Sequence, residues 1–381
     1  MMRSPSPEGR AGVILPLAAL LLVVILAMAA FVVDIGYMIA VQSELQNATD
    51  ASALAGAAQL MQPYVQYSNP NQTTTNQATI LSGAMTSARL QVQKIAGLNK
   101  AGDVPSLSVN DSDIVFGFLD AQNNFSPTPP DSRFPNSVQV TLRRDDQANT
   151  PLGLVFAPIF GKSSADLTTT ARATIMASPN NFSFKFGNLP LLPVALDVRI
   201  WNQFLQDGTS PSANNQVLTG PNGAPELQVY PDAPQFGKFG LASIGPPANN
   251  APTYRTWIDT GASSTDVQYL DTNGLLPVSP TTPQYWHAGP GIKSTLQTNF
   301  LAAIVGQPRL IPLYDGSLPQ TGGFPIIGFG GVAISQATAR GTNMNISVQP
   351  TFVYVPQGIG GTPAGTSTLP TFSFGPVQLT R

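Results

Sequence analysis

The sequence lacks cysteine entirely and has a single histidine, His287, among its 381 residues. Without cysteine the chain forms neither a disulfide nor a thiolate metal site. One imidazole cannot assemble a histidine metal cluster or a two-histidine proton relay within one chain. The composition therefore predicts no metal and no other cofactor.

Charged side chains are scarce as well. The chain has 18 Lys and Arg and 20 Asp and Glu residues, 10% of the sequence, against about 25% in typical domains. A formal net charge of −2 without a basic run gives phosphates no electrostatic footprint, so we expect no nucleic-acid partner. Apolar residues make up 42% of the chain, which argues against disorder.

What the sequence does have is a long hydrophobic run at residues 11–33, which contains no charged side chain and closes at Asp34. A helix over these 23 residues is about 34 Å long, against about 30 Å for the hydrocarbon core of a bilayer. The run therefore predicts a single-pass anchor in the lipid bilayer. The residues of this predicted membrane anchor are Val13, Leu17, Leu21, Val24, Phe31 and Asp34.

Charge sets the expected orientation of the span. Arg3 and Arg10 precede it, whereas the first cation after it is Arg89. The positive-inside rule then places the N-terminus in the cytoplasm and the bulk of the chain outside. We expect Asp34 to reach the outer interface, where a carboxylate is tolerated.

Cleavage of the span is an alternative to its retention. Residues 27–29, Ala-Met-Ala, form a small-x-small site at which signal peptidase could cut after Ala29. The apolar run continues past this site to Val33, which favours a retained anchor.

The helix is expected to continue beyond the membrane surface, because no proline occurs between Pro16 and Pro63. Small and apolar residues recur in this stretch at spacings of three and four, which is typical of one face of a helix. A free coiled-coil stalk is the alternative, although alanine is a poor seam residue. The face that we expect to pack on a sheet consists of Val41, Leu45, Ala48, Ala51, Ala55 and Ala58.

Two adjoining patterns carry a family resemblance. An apolar helix runs into Val33-Asp34-Ile35-Gly36, and Leu45 to Ala58 read LQNATDASALAGAA. This segment resembles the N-terminal region of TadG-like proteins of the bacterial Flp/Tad pilus assembly system, which have a VDLG-like step and an LQNAADAAALAGA-like helix. Looser similarity follows at residues 114–120, 137–144, 152–161 and 165–177.

The resemblance implies a protein of the bacterial inner membrane that acts by binding other pilus or envelope assembly proteins. No assembled catalytic set opposes this interpretation, so we expect a structural, pseudopilin-like component and not an enzyme. The sequence leaves a homo-oligomer open.

The periodicity predicts an α+β fold: a transmembrane helix that continues into a long pilin-like helix packed on a small β-sheet, then a β-rich second domain. We expect a membrane anchor helix at 1–45, a TadG-like α+β domain at 46–178, and a β-rich extracytoplasmic domain at 179–381. Helices are predicted at 77–96 and 292–304. Strands are predicted at 106–109, 114–119, 137–142, 166–177, 227–230, 239–244, 309–314, 326–334, 345–355 and 372–379.

An alternative function rests on Asp259. Residues 258–263 match the Asp-Thr-Gly core of aspartic proteases, and an envelope hydrolase using Asp259 would need a second carboxylate from another lobe or chain. No second Asp-Thr-Gly occurs in the sequence. The flanking residues favour a helix cap, with Asp259 or Ser263 as the capping side chain.

Two further residues, Asp197 and His287, are of types that bind metals. In both cases the neighbouring residues argue against a metal site. Asp197 occupies the place of the metal-binding Asp-x-Ser-x-Ser motif that many TadG-like proteins carry, yet Arg199 stands where the motif has serine and would repel a divalent cation. His287, between aromatics and a Gly-Pro-Gly turn, is more typical of a packed or surface imidazole than of a ligand.

Overall fold

The computed structural model describes residues 14–69, 73–127, 133–185, 187–230, 240–248, 250–289, 301–318, 322–340, 343–366 and 371–380. The chain divides into two compact units, each assembled from separate stretches. The first comprises Met1–Ser52, Val92–Ile114 and Val140–Ala171, and the second comprises Ala53–Gln91, Val115–Gln139 and Arg172–Arg381. The boundary predicted after residue 178 falls inside the second unit.

The first helix, α1, spans Ile14–Tyr67, which is 54 residues or about 80 Å. It confirms the prediction of one continuous helix, and it runs through Pro63 for a last turn. Among the described residues it is the one helix long and apolar enough to cross a membrane, with an 18-residue window of mean hydropathy 2.9 that is entirely unburied. Apolar side chains exposed all round a helix are stable in lipid, not in water.

Beyond the span, α1 buries one face. Of the predicted face, Val41, Leu45 and Ala48 are buried, Ala51 and Ala55 are half-buried, and Ala58 is exposed, contrary to expectation. The predicted residues lie fewer than 3.6 positions apart on average, so their line drifts around the helix. The burial passes instead to Ser52, Ala53, Ala57 and Leu60.

The second helix, α2, spans Thr74–Gly97 and contains the predicted range 77–96. Its buried side chains recur every four residues, at Ala84, Ala88, Val92 and Ala96. Three shorter helices follow in the second unit: α3 (Val198–Asp207), α4 (Ala251–Thr260) and α5 (Ser264–Thr272). The helix predicted at 292–304 lies mostly outside the described residues; residues 301–303 are helical, and Leu301 and Ile304 are buried.

The rest of the described chain is rich in strands. In chain order they are β1 (Ile114–Leu119), β2 (Phe125–Ser126), β3 (Ser137–Arg144), β4 (Leu152–Gly153), β5 (Ser164–Ala165), β6 (Leu167–Thr174), β7 (Met176–Ala177), β8 (Asn181–Phe182), β9 (Val194–Asp197), β10 (Leu218–Thr219), β11 (Pro225–Tyr230), β12 (Gly240–Leu241), β13 (Gln284–His287), β14 (Pro308–Tyr314), β15 (Gly323–Arg340), β16 (Asn343–Pro350), β17 (Val353–Tyr354), β18 (Gly358–Ile359), β19 (Thr362–Pro363), β20 (Ser373–Phe374) and β21 (Gln378–Thr380).

The first large sheet has the order β2-β1-β3-β6-β21. In β3 the residues Val138, Val140 and Leu142 are fully buried and alternate with half-buried neighbours, as the period of two predicts. The strand predicted at 106–109 is wrong, because these residues form no strand although Leu107 and Val109 are buried.

The second large sheet has the order β10-β11-β16-β15-β14-β9-β12, with β13 also paired to β15. The 18-residue β15 is its longest strand, and β14 lies antiparallel to β15 and parallel to β9. Smaller sheets are β17-β20-β7-β19, β18-β8 and β4-β5. The long apolar helix and the β-rich remainder with its mixed helices confirm the predicted α+β class.

Candidate membrane-interface site

Asp34, at the C-terminal end of the apolar span, is buried and holds a loop of the first unit. Only 2% of its surface is exposed. Oδ1 accepts the N–H of Val155 at 2.8 Å and Oδ2 accepts the N–H of Ala157 at 2.6 Å. The N–H of Phe156 lies between them, at 3.2 Å from Oδ1 and 3.0 Å from Oδ2. One carboxylate thus satisfies three consecutive backbone donors.

The local sequence explains why those donors are free. The strands β4 and β5 pair as a hairpin, and the connection between them carries a 3₁₀ helix at Ala157–Phe160. The first N–H groups of such a helix have no partner within it, and a negative charge is favoured at that end. Pro158, the second residue of this helix, has no N–H, and Gly161, at φ 83°, ends the helix in the left-handed region. Asp34 therefore caps a helix from a distant part of the chain.

The connection, which we call the apolar loop (residues 154–161), displays large apolar side chains. Val155 is 63% exposed, Ile159 78% and Phe160 66%, and Phe156 is partly exposed. Phe156, Ile159 and Phe160 line an apolar groove of about 560 Å³ whose other wall is α1 between Val23 and Val33. The loop side chains thus lie alongside the membrane span.

A second contact between α1 and the first unit lies further from the span, at Glu44. Its Oε2 accepts the N–H of Gly102 at 2.7 Å, and its Oε1 lies 3.1 Å from Nζ of Lys100. These contacts, the Gly102 N–H first, hold the pKa of Glu44 below its ordinary value. Gly102 has φ 61°, and a Cβ there would crowd Val41, so a glycine suits the close approach.

The segment that carries Gly102 is held by Arg144, a charged side chain that is only 1% exposed. Its Nη1 donates to the carbonyl oxygen of Ala101 at 2.9 Å and to Oδ1 of Asp103 at 2.6 Å. Its Nε donates to the carbonyl oxygens of Asn149 and Thr150. A planar guanidinium with several donors can join two loops in this way.

A third contact lies one to two turns beyond Glu44. The hydroxyls of Thr49 on α1 and Thr169 on β6 lie 2.6 Å apart, and both residues are buried. Asp34, Glu44 and Thr49 therefore attach α1 to the rest of the first unit at three levels along its axis. Sequence reasoning singled out Asp34 as the end of the span, but its loop partners lie more than a hundred residues away.

Four of the predicted anchor residues are exposed along the apolar part of α1. Leu17, Leu21, Val24 and Phe31 are exposed on α1, and Val13 lies outside the described residues.

Asp259 lies in the last turn of α4, where its carboxylate is 3.6 Å from Nε of Arg255. The Asp-Thr-Gly motif therefore ends a helix and does not sit on a strand loop. Ser263 caps α5: its hydroxyl accepts the N–H of Asp266, and its own backbone N–H donates to the Asp266 carboxylate, which confirms the predicted helix cap.

Asp197 and His287 likewise have structural surroundings. Asp197 is buried, caps α3 and pairs with Arg199, whose Nη2 is 2.5 Å from its Oδ2. His287 lies exposed on β13. Within the described ranges, no three His, Cys, Asp or Glu side chains come together to hold a metal ion.

The N-terminal segment is similar to a known protein family. Residues 12–59 match the family Tad, described as "Putative Flp pilus-assembly TadE/G-like". No curated protein and no solved structure matches the chain. The match confirms the resemblance expected from Val33-Asp34-Ile35-Gly36 and the helix after it. The similarity covers this N-terminal segment, which includes the apolar part of α1.

Proposed function

We propose that this protein is a pseudopilin-like structural component of a Flp/Tad-type pilus assembly or related envelope system. It is a single-pass protein of the bacterial inner membrane with its N-terminus in the cytoplasm. The bulk of the chain is extracytoplasmic and binds other assembly proteins. It performs no catalysis.

The observation that carries the proposal is the attachment of α1 to the first unit at Asp34, Glu44 and Thr49. A membrane helix on a flexible tether would transmit no force or orientation to its outer part. A helix that is bonded to the outer part at three levels transmits both force and orientation, because each contact restricts rotation about the helix axis and sliding along it. This is what an assembly component needs.

Two other observations support the proposal. The family match lies on the span and on the first part of the outer helix, residues 12–59, where these contacts begin. The aspartate of the alternative hydrolase, Asp259, is engaged with Arg255 on a helix surface, and this favours a structural role for the residue.

Deleting the gene in its native bacterium tests the proposal. We expect loss of surface Flp pili in electron micrographs and of pilin from sheared-cell fractions, with recovery when the full chain is supplied in trans. As a matched control, residues 1–67 alone should insert in the membrane but should not restore pili. Normal piliation in the deletion strain would contradict the proposal.

A further inference from the structure

We propose that the apolar loop, residues 154–161, inserts into the outer leaflet of the bilayer beside α1 and forms a second membrane contact. The occupant of the groove between the loop and the span is then lipid acyl chain. This inference rests on the membrane span and the orientation given in the proposed function, but not on the role in pilus assembly.

The groove beside the loop is continuous with the apolar span of α1. The groove that Phe156, Ile159 and Phe160 share with α1 is walled by Val23 to Val33. Ten residues of helix separate those two valines, about 15 Å along the axis. The uncharged run ends only at Asp34, so this stretch of α1 is the outer part of the expected span. Side chains that line a groove with it lie at the depth of hydrocarbon.

The loop exposes large apolar side chains. Val155, Ile159 and Phe160 are each more than 60% exposed. An exposed apolar cluster that adjoins a membrane span is costly in water and favourable in lipid. Lys162, exposed at the base of the loop, adds a cation where anionic headgroups lie.

The hydrogen bonds of the loop backbone are compatible with a lipid environment. A loop can enter hydrocarbon only where its N–H groups are already bonded, because lipid offers no acceptor. Pro158 has no N–H, and the Val155 to Ala157 groups are bonded to Asp34. Four more donors in the loop or at its base bond to nearby carbonyls: Leu154 to that of Ser163, Ile159 to that of Phe156, Gly161 to that of Pro158 and Lys162 to that of Ala157.

Asp34 gains a specific role from this arrangement. A carboxylate at the edge of hydrocarbon is tolerated when it is fully hydrogen bonded, and three loop donors supply those bonds. In return, the carboxylate accepts hydrogen bonds from three backbone N–H groups that would otherwise be unsatisfied in lipid. The loop and the helix therefore insert as one unit.

The test is a depth measurement on the full chain in nanodiscs of phosphatidylethanolamine and phosphatidylglycerol. The chain contains no native cysteine, so Ile159→Cys introduces one thiol for the environment-sensitive dye NBD. The control is Asp146→Cys, on an exposed turn next to Arg144. We expect doxyl groups on the acyl chains to quench the dye at 159 several-fold more strongly than at 146, with blue-shifted emission at 159 alone.

Equal quenching at both positions, or water-like emission at 159, would overturn the inference. Blue-shifted emission that needs two chains per disc and resists acyl-chain quenching would assign the loop to a second copy, and it would also overturn the inference. Phe160→Cys repeats the measurement in case the variant at 159 fails to fold. Because the nanodiscs contain no other pilus assembly protein, the outcome is independent of that of the deletion experiment.

Discussion

The carboxylate of Asp34 lies 2.6 Å from the backbone nitrogen of Ala157, although 123 residues separate the two positions. This bond and the two beside it join the outer end of the membrane span to a hairpin loop of the first unit. The helix is therefore bonded to the rest of the first unit at the point where the apolar stretch ends.

Replacing Asp34 should free the apolar loop. Asp34→Ala leaves the N–H groups of Val155, Phe156 and Ala157 without their acceptor, and charge-assisted bonds are the stronger ones. We expect deuterium exchange at these amides to rise by about tenfold or more in nanodiscs, and by less in Asp34→Asn, which keeps one acceptor oxygen. Hydrogen exchange with mass spectrometry on the full chain measures it.

Asp50→Ala is the matched control for this change, because Asp50 lies on the same helix and accepts one bond from Gln46. Exchange in residues 154–161 should not respond to it. If Asp34→Ala leaves the exchange of the loop amides unchanged, Asp34 does not hold the loop.

Extra volume on the buried face of α1 should destabilise the protein. Ala48 is fully buried, so Ala48→Leu should cost about 1–3 kcal/mol of unfolding free energy through overpacking. Ala58 is exposed, so Ala58→Leu should change it by less than about 0.5 kcal/mol. Thermal unfolding in mild detergent compares the two, and equal shifts would indicate that the helix is a free stalk.

Acid should weaken the contact at Glu44. Because the Gly102 N–H and Lys100 lower the pKa of Glu44 in the folded protein, the unfolded chain binds more protons at acidic pH. The contribution of the contact is complete at pH values above the ordinary pKa of glutamate and is lost as the pH falls through the lowered pKa of Glu44. The thermal midpoint should fall from pH 7 to pH 3 by less in Glu44→Gln than in the wild type; identical slopes would count against the contact.

The orientation can be read with reporters fused after Gln62. Arg3 and Arg10 against no cation before Arg89 predict active alkaline phosphatase and dark green fluorescent protein. Two or three lysines inserted after Ile35 should weaken or invert this pattern, because the native bias is only two charges. A fluorescent, phosphatase-negative fusion of the native sequence would reverse the proposed topology.

Local features of the sequence predicted much of the fold. The apolar run and the absence of proline predicted α1, and alternation predicted β3, because both are properties of neighbouring residues. The burial of Ala53 and Ala57 in place of Ala58 was missed, since a pattern of small residues fits more than one face. The two units interleave distant stretches, which no composition shift along the chain reveals.

The candidate site could be predicted only in part. The end of the span at Asp34 is visible in the sequence, but its partners are backbone N–H groups, which every residue type carries. Residues 152–161 attracted notice only through a loose resemblance, whereas the signal that mattered was an apolar turn with a proline and a closing glycine. The guanidinium of Arg144 was also missed, because burial of a charge depends on carbonyl oxygens brought together by the fold.

The most direct test of the central claim is to isolate the tagged full chain from native membranes in mild detergent and to identify what accompanies it by quantitative mass spectrometry. A single-pass membrane protein of unrelated sequence, tagged in the same way, serves as the control. The account predicts enrichment of Flp pilus assembly proteins over that control. Recovery of the chain from the membrane with none of them enriched would contradict it.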